Sequence, residues 1–89
     1  MARTKDTLAD RVTEILKRRF PGADVNVGRF YGAERVNGQI TWDGFNDKDH
    51  FDRQQDVHAV LEEELGADVQ GISIVLAYTP REIELMESE

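Results

Sequence analysis

The sequence of 89 residues contains no cysteine, two prolines, two histidines and one tryptophan. Without cysteine the chain has no disulfide, no thiolate ligand for zinc or an iron–sulfur cluster, and no cysteine nucleophile. No apolar run approaches the roughly 18 residues of a membrane-spanning helix, and the N-terminus lacks the apolar block of a signal peptide. These absences predict a cytoplasmic protein, and the length predicts a single domain over residues 1–89.

Acidic and basic residues are unevenly distributed along the chain, whose net charge is −7. Residues 1–22 hold six basic and three acidic side chains, and residues 23–42 hold two of each. Residues 43–89 hold three basic and thirteen acidic side chains. Because an acidic surface repels phosphate backbones, broad nucleic-acid affinity is disfavoured. A basic patch is expected on the first helix alone.

The first half of the chain predicts a helix followed by a hairpin. Apolar side chains recur at helical spacing and define one face, namely Leu8, Val12, Ile15, Leu16 and Phe20. Thr4 or Thr7 is suited to cap the start of this helix, and Pro21 to end it. Strands are predicted over residues 23–27 and 35–42, and they are expected to pair as an antiparallel hairpin.

A second helix is predicted to begin with Asp47 or Asp49 as its N-cap and to end at Leu65, where Gly66 stops it. Its inward face is expected to consist of Val57, Val60, Leu61, Glu64 and Leu65. Phe51 lies off this face, which predicts a kinked or separate first turn.

The third strand, over residues 72–78, is apolar on both faces except at Ser73, which predicts burial on both faces. The helix between the second and third strands implies that these two strands run parallel. Residues 79–82, Thr-Pro-Arg-Glu, form a capping box for a short terminal helix. The element order α-β-β-α-β-α predicts an α+β fold in which a three-stranded mixed sheet packs against helices.

Part of the sequence resembles the BolA family. The resemblance lies in the spacing of Phe45, Lys48, Arg53, Val57, Leu61, Leu65, Val69, Ile72 and Ser73. The stretch over residues 20–27 is also similar to that family's helix-to-strand junction. The resemblance implies a fold like the type II KH domain and a non-enzymatic role. It further implies partnership with monothiol glutaredoxins around a shared 2Fe–2S cluster, or regulation of transcription by DNA binding.

The sequence departs from the BolA pattern at the residue that matters most for a cluster. Gln70 stands where the family has the histidine that ligates the iron–sulfur cluster. An amide is a weak ligand for iron. The loop over residues 28–34 contains neither histidine nor cysteine, so it supplies no second ligand. The chain is therefore expected to hold no metal or cofactor of its own. Residues 75–78 are one residue longer than the family's usual spacing, which indicates a bulge or a shifted last helix.

Other candidate sites have simpler structural interpretations. His58 and Glu62 lie one helical turn apart and would suit a metal, but His50 and His58 are expected on a solvated helix surface. No nucleophile is paired with a base, so no catalytic residue is predicted. Arg53 is expected to form an intramolecular ion pair with Asp49 or Asp56, with contact to a partner as the second choice.

Two functional hypotheses follow. The first is a BolA-like adaptor or regulator that acts through protein–protein contact and whose partner-binding surface consists of Arg29, Phe30, Tyr31, Arg35 and Gln70. Aromatic and arginine side chains together are typical of interfaces. The alternative is that the two aromatic residues pack over the edge of the sheet. The alternative is a KH-like nucleic-acid-binding transcriptional regulator, whose contacts would be Lys17, Arg18, Arg19 and Lys48. Against it, the turn into the second helix lacks the glycines with which KH domains grip a backbone.

Overall fold

The computed structural model describes residues 7–29 and 34–87. Its helices and strands follow in the order α1 (Thr7–Arg19), β1 (Asp24–Gly28), β2 (Val36–Thr41), α2 (His50–Leu65), β3 (Ile72–Tyr78) and α3 (Pro80–Glu87). Short 3-10 segments, Asp43–Phe45 and Gly66–Gly71, precede α2 and β3. The predicted order α-β-β-α-β-α is confirmed.

Helix α1 ends where its sequence changes from apolar periodicity to proline and glycine. The Ala23 N–H donates to the Phe20 carbonyl at 3.0 Å, which closes the turn after the helix. Gly22 adopts a φ of +87°, a left-handed conformation that glycine reaches without steric cost. The chain thereby reverses direction and enters β1.

The three strands form one mixed sheet in the order β1-β2-β3. Strands β1 and β2 are antiparallel, with Asp24 opposite Thr41, and β2 and β3 are parallel, with Thr41 opposite Tyr78. Both predicted pairings are confirmed. Gly38 permits the close approach of the first two strands, because a Cβ there would lie 2.4 Å from the Asn26 carbonyl oxygen.

An irregularity interrupts the pairing of β2 and β3 near its start. Val36 is opposite Ile72, but the next residue, Asn37, is opposite Ile74, so Ser73 is the extra residue. The longer spacing in residues 75–78 had predicted a bulge or a shifted helix. The irregularity lies at Ser73 instead, and the register is continuous from Ile74 to the end of the strand.

The core lies between one face of the sheet and helices α1 and α2. Its buried members are Val12, Ile15, Leu16, Phe20, Ile40, Phe45, Val57, Leu61, Leu65, Val75 and Ala77. The predicted burial of β3 on both faces is wrong, because Ser73, Ile74 and Leu76 are exposed. Helices α1 and α2 both pack on the same face of the sheet, so one face of β3 is buried and the other is left open.

Helix α2 begins and ends as its capping residues predict. The Asp49 carboxylate accepts a hydrogen bond from the Asp52 N–H at 2.9 Å, and Gly66 ends the helix with a φ of +59°. The prediction of a separate first turn is wrong, since the helix is unbroken from His50 to Leu65. Phe51 is accommodated on the solvent side, where 68% of its surface is exposed.

Aromatic rings close the end of the sheet at which β2 terminates. Trp42 meets Phe20 and Phe45 edge to face, with ring centroids 5.1 and 5.2 Å apart. The indole N–H of Trp42 donates to the Pro21 carbonyl at 2.8 Å. Trp42 is half-buried, so it forms the rim of the core and Phe45 forms its centre.

Candidate functional site

The strand register brings two of the predicted contact segments to one end of the sheet. Because Gly28 pairs with Asn37 and Val36 pairs with Ile72, the loop between β1 and β2 and the segment before β3 both lie there. We call this the loop end. Its described members include Arg29, Glu34, Arg35 and Gln70.

The side chains at the loop end face solvent. Arg29, Arg35 and Gln70 are all exposed, and the Arg29 guanidinium donates to the carbonyl of Glu34. Within residues 7–29 and 34–87, the side chains of Arg35 and Gln70 have no hydrogen-bond or ion-pair partner. Phe30 and Tyr31, the aromatic members of the predicted surface, lie outside the described residues.

The donor groups at the loop end do not fit an iron–sulfur cluster. Gln70 lies in the 3-10 segment before β3 and offers an amide, and the nearby arginines offer cationic donors that cannot ligate iron. His50 is at the opposite end of β3, where its ring centroid is 6.2 Å from that of Tyr78. In the part of the chain that is described, no group of three His, Cys, Asp or Glu side chains is placed to hold a metal ion. His58 is exposed on α2, as predicted.

Carboxylates neutralise most of the cations of the nucleic-acid hypothesis. Arg18 contacts Glu64 at 2.8 Å, and Arg19 contacts both Glu63 at 3.0 Å and Glu64 at 2.7 Å. Hydrogen bonds from Arg19, then from Arg18, lower the pKa of Glu64. A phosphate group would have to displace these carboxylates before it could bind.

The remaining two cations of the nucleic-acid hypothesis are the lysines Lys48 and Lys17. The Lys48 ammonium lies 2.9 Å from the Asp56 carboxylate, whose hydrogen bond raises the pKa of Lys48. Lys17 is exposed on α1. One exposed lysine and three paired cations make a poor phosphate-binding surface, and the arrangement does not favour the nucleic-acid hypothesis.

Arg53 forms an intramolecular ion pair, but with a different carboxylate from those predicted. Its guanidinium binds Glu82 in a two-pronged contact, with Nη1–Oε1 and Nη2–Oε2 distances of 2.6 and 3.1 Å. Its Nε donates to the Lys48 carbonyl at 3.0 Å, and the side chain is almost fully buried. Asp49 is instead the cap of α2, and Asp56 is paired with Lys48.

Glu82 joins this ion pair to the predicted capping box of α3. Its carboxylate accepts from the Thr79 N–H at 2.9 Å, and its own N–H donates to the Thr79 hydroxyl at 3.2 Å. The hydrogen bonds from Arg53, followed by the one from Thr79, lower the pKa of Glu82 from 4.5 to about 2. At the junction of α2, β3 and α3, the charged groups of Arg53 and Glu82 are therefore hydrogen-bonded to each other and to the backbone. Arg53 is a structural residue there and is not available to a partner.

Sequence reasoning missed the role of Gln54. Its amide spans the free edge of β3, where Nε2 donates to the Val75 carbonyl at 3.0 Å and Oε1 accepts from the Ala77 N–H at 2.8 Å. An unpaired strand edge is a template for pairing with another chain, so this glutamine protects the middle of β3. Nothing in the spacing of Gln54 along α2 distinguishes it from the exposed Gln55 beside it.

Comparison with known proteins supports the architecture. No family model and no curated protein matches the sequence. Among solved structures the chain is similar to the BolA domain of SufE1 from Arabidopsis thaliana, with a TM-score of 0.63 and 22% sequence identity. The match covers 89% of this chain and 99% of that domain. The chain therefore has a BolA-like α+β fold. No helix within the described residues has the length and apolar character needed to cross a membrane.

Proposed function

We propose that this protein is a small, non-enzymatic adaptor or regulator that works by protein–protein contact at the loop end of its sheet. The observation that carries the proposal is the placement of Arg35 and Gln70 at one end, exposed and without a partner among residues 7–29 and 34–87. Arginine is enriched at protein interfaces because its planar guanidinium makes several directed hydrogen bonds. Phe30 and Tyr31 belong to the proposed surface on sequence grounds.

The partner we propose is a protein such as a monothiol glutaredoxin, on the basis of the BolA-like fold and the sequence resemblance. In that complex this chain would contribute contacts and no iron ligand, because residue 70 is a glutamine. A cluster, if one is present, would be held by groups that the partner brings. We place this activity in the cytoplasm, as the sequence predicts.

The experiment is a binding titration of the purified protein against a purified monothiol glutaredoxin, with Arg35→Ala and Gln70→Ala as the test variants. Both side chains are exposed, so neither change is expected to disturb the fold. We expect each to weaken binding by about tenfold, or about 1.4 kcal/mol, which is the size of effect found at the minority of interface residues that contribute most to affinity. Glu14→Ala, an exposed change on α1, is the matched control and should bind like the wild type.

A second variant, Gln70→His, separates docking from cluster ligation. If glutamine at residue 70 acts by contact and not as a ligand, the wild-type complex should show no visible absorbance that depends on residue 70. The histidine variant, which supplies an imidazole, should change that absorbance. Equal affinity for the wild type, Arg35→Ala and Gln70→Ala would show that the loop end is not the contact surface. Iron–sulfur absorbance that depends on glutamine at residue 70 would overturn the proposed absence of a ligand.

A further inference from the structure

Helix α3 is attached to the rest of the protein with little burial of apolar surface. None of the eight described residues of this helix is buried, and the helix packs only sparsely against the other elements. Leu85 and Met86 are 61% and 50% exposed. Helix α2 differs, because it buries the apolar side chains of Val57, Leu61 and Leu65. Since apolar burial supplies most of the free energy of docking, α3 is held far less tightly than α2.

The length of α3 makes its helical form depend on this attachment. An isolated helix shorter than about 12 residues is marginal in water, because few hydrogen bonds offset the cost of nucleation. With eight residues, α3 is below that length. Once it leaves the body of the protein, the helix is therefore expected to unwind. Detachment and loss of helical structure form one event.

One carboxylate performs both tasks that keep α3 in place. The Oε1 atom of Glu82 accepts from Arg53 Nη1 at 2.6 Å, which ties the helix to α2. The same oxygen accepts from the Thr79 N–H at 2.9 Å, which caps the first turn. When the contact with Arg53 breaks, the carboxylate is released and the cap is weakened with it. The tether and the cap are thus coupled, which favours the loss of the whole helix at once.

The fixed part of the chain extends to the end of β3. The Tyr78 carbonyl accepts from the Trp42 N–H at 3.0 Å, so the last residue of the strand is bound to the chain that follows β2. Helix α3 begins at Pro80, whose ring nitrogen has no N–H to donate. Thr79 is therefore the single residue between the sheet and α3, and the backbone turns there when the helix moves.

Arg53 does not depend on α3 alone for its position. Its Nε donates to the Lys48 carbonyl at 3.0 Å, and its Nη1 donates to the Ala77 carbonyl at 3.4 Å. Neither carbonyl belongs to α3, so both contacts persist when the Glu82 carboxylate leaves. The guanidinium keeps its orientation with or without α3, and only its exposure to solvent changes.

We propose that α3 is a latch that opens about Thr79 as one unit while α1, α2 and the sheet remain folded. In the closed state, Glu82 covers the guanidinium of Arg53. In the open state, that guanidinium is exposed and still oriented by two backbone carbonyls. The latch therefore controls access to Arg53. This proposal is independent of the adaptor function, which concerns the opposite end of β3.

The experiment is native-state amide hydrogen exchange of the full chain, followed for single residues by NMR. In the wild type, the amides of Ile83 and Leu85 should be protected at least a hundredfold less than the amide of Leu61. The two α3 amides should have the same protection factor, because a unit opens all at once. Fraying from Glu87 would instead leave Leu85 less protected than Ile83.

Ile15→Val separates local opening from global unfolding. Ile15 is buried in the core on α1, so this change destabilises the closed and open states alike relative to the unfolded chain. Exchange at Leu61 should become several-fold faster, whereas exchange at Leu85 should not change. The dispersion of the NMR spectrum checks that the variant is folded.

Glu82→Gln tests the contact that closes the latch. Exchange at Ile83 and Leu85 should become about tenfold faster, because a neutral amide holds Arg53 less strongly than a carboxylate does. The reaction of Arg53 with phenylglyoxal, mapped by peptide mass spectrometry, should accelerate by the same factor. Glu84→Gln is the matched control, since Glu84 is exposed on the opposite side of the helix, and it should change neither rate.

Four results would overturn the proposal. The first is protection of the α3 amides equal to that of Leu61, and the second is a gradient of protection toward Glu87. The third is exchange at Leu85 that accelerates together with Leu61 in Ile15→Val, which would show that α3 opens only when the whole chain unfolds. The fourth is a Glu82→Gln variant with wild-type exchange in α3 and wild-type reactivity at Arg53. None of these results would bear on binding to a glutaredoxin.

Discussion

The two ends of the sheet differ in how their charged side chains are satisfied. Where β3 joins α3, Arg53 is buried and bound by the Glu82 carboxylate and two backbone carbonyls. At the loop end, Arg35 and Gln70 are exposed and make no such contacts within the described residues. A buried cation that is fully hydrogen-bonded fixes the structure around it, whereas an exposed one remains available to another molecule. Arg53 matches the BolA pattern and yet is structural, so likeness to the family's sequence does not by itself identify a contact residue.

The largest expected effect on stability is at the end of the sheet where β3 joins α3 and Arg53 binds Glu82. Glu82→Ala removes both prongs of the Arg53 contact and half of the capping box, and leaves a buried guanidinium without a counter-charge. We expect a loss of about 2–4 kcal/mol in the free energy of unfolding, measured by urea denaturation. Glu82→Gln is the control and should lose less, because its one carbonyl oxygen can still accept from Arg53 Nη1 and the Thr79 N–H although it carries no charge. Equal losses for the two variants would show that the charge of Glu82 accounts for the whole effect, and no loss for Glu82→Gln would show that the charge is unimportant.

The lowered pKa of Glu82 predicts a difference in acid sensitivity. Because its pKa is about 2 in the folded protein and 4.5 without these contacts, the ionised carboxylate stabilises the fold above about pH 4.5. That stabilisation is lost as the pH falls toward 2. The stability difference between the wild type and Glu82→Gln should therefore be constant near neutral pH and shrink below pH 4.5. A difference that grows on acidification would contradict this assignment.

An intermediate effect is expected along the edge of β3. Gln54→Ala leaves the Val75 carbonyl and the Ala77 N–H without their side-chain partner, which should cost about 1–2 kcal/mol. The exposed strand edge should also increase aggregation, measured by light scattering on warming. Gln55→Ala is the matched control, since that neighbouring side chain is exposed and makes neither contact. If both variants aggregate alike, the amide of Gln54 does not protect the edge.

The sequence predicts the fold better than it predicts the contacts between distant elements. Element order, strand directions and the caps at Asp49 and Thr79 depend on local patterns, and each is confirmed. The exposure of Ile74 was missed because the burial of a strand's second face depends on whether another layer packs on it, a property of the whole topology. The partner of Arg53 was missed for a related reason. Glu82 is 29 residues away in the sequence, and the two meet only through the placement of α2 against β3 and α3.

The smallest expected effect on stability is at the loop end. Arg35→Ala and Gln70→Ala each remove an exposed side chain that holds nothing in place among the described residues, so the midpoint of urea denaturation should not change measurably. The same two variants are expected to lose affinity for a protein partner. A residue with no effect on folding and a tenfold effect on binding belongs to a contact surface, which is the opposite of the behaviour expected for Glu82. A large destabilisation by Arg35→Ala would mean that the loop end is structural too, and the contrast between the two ends would no longer hold.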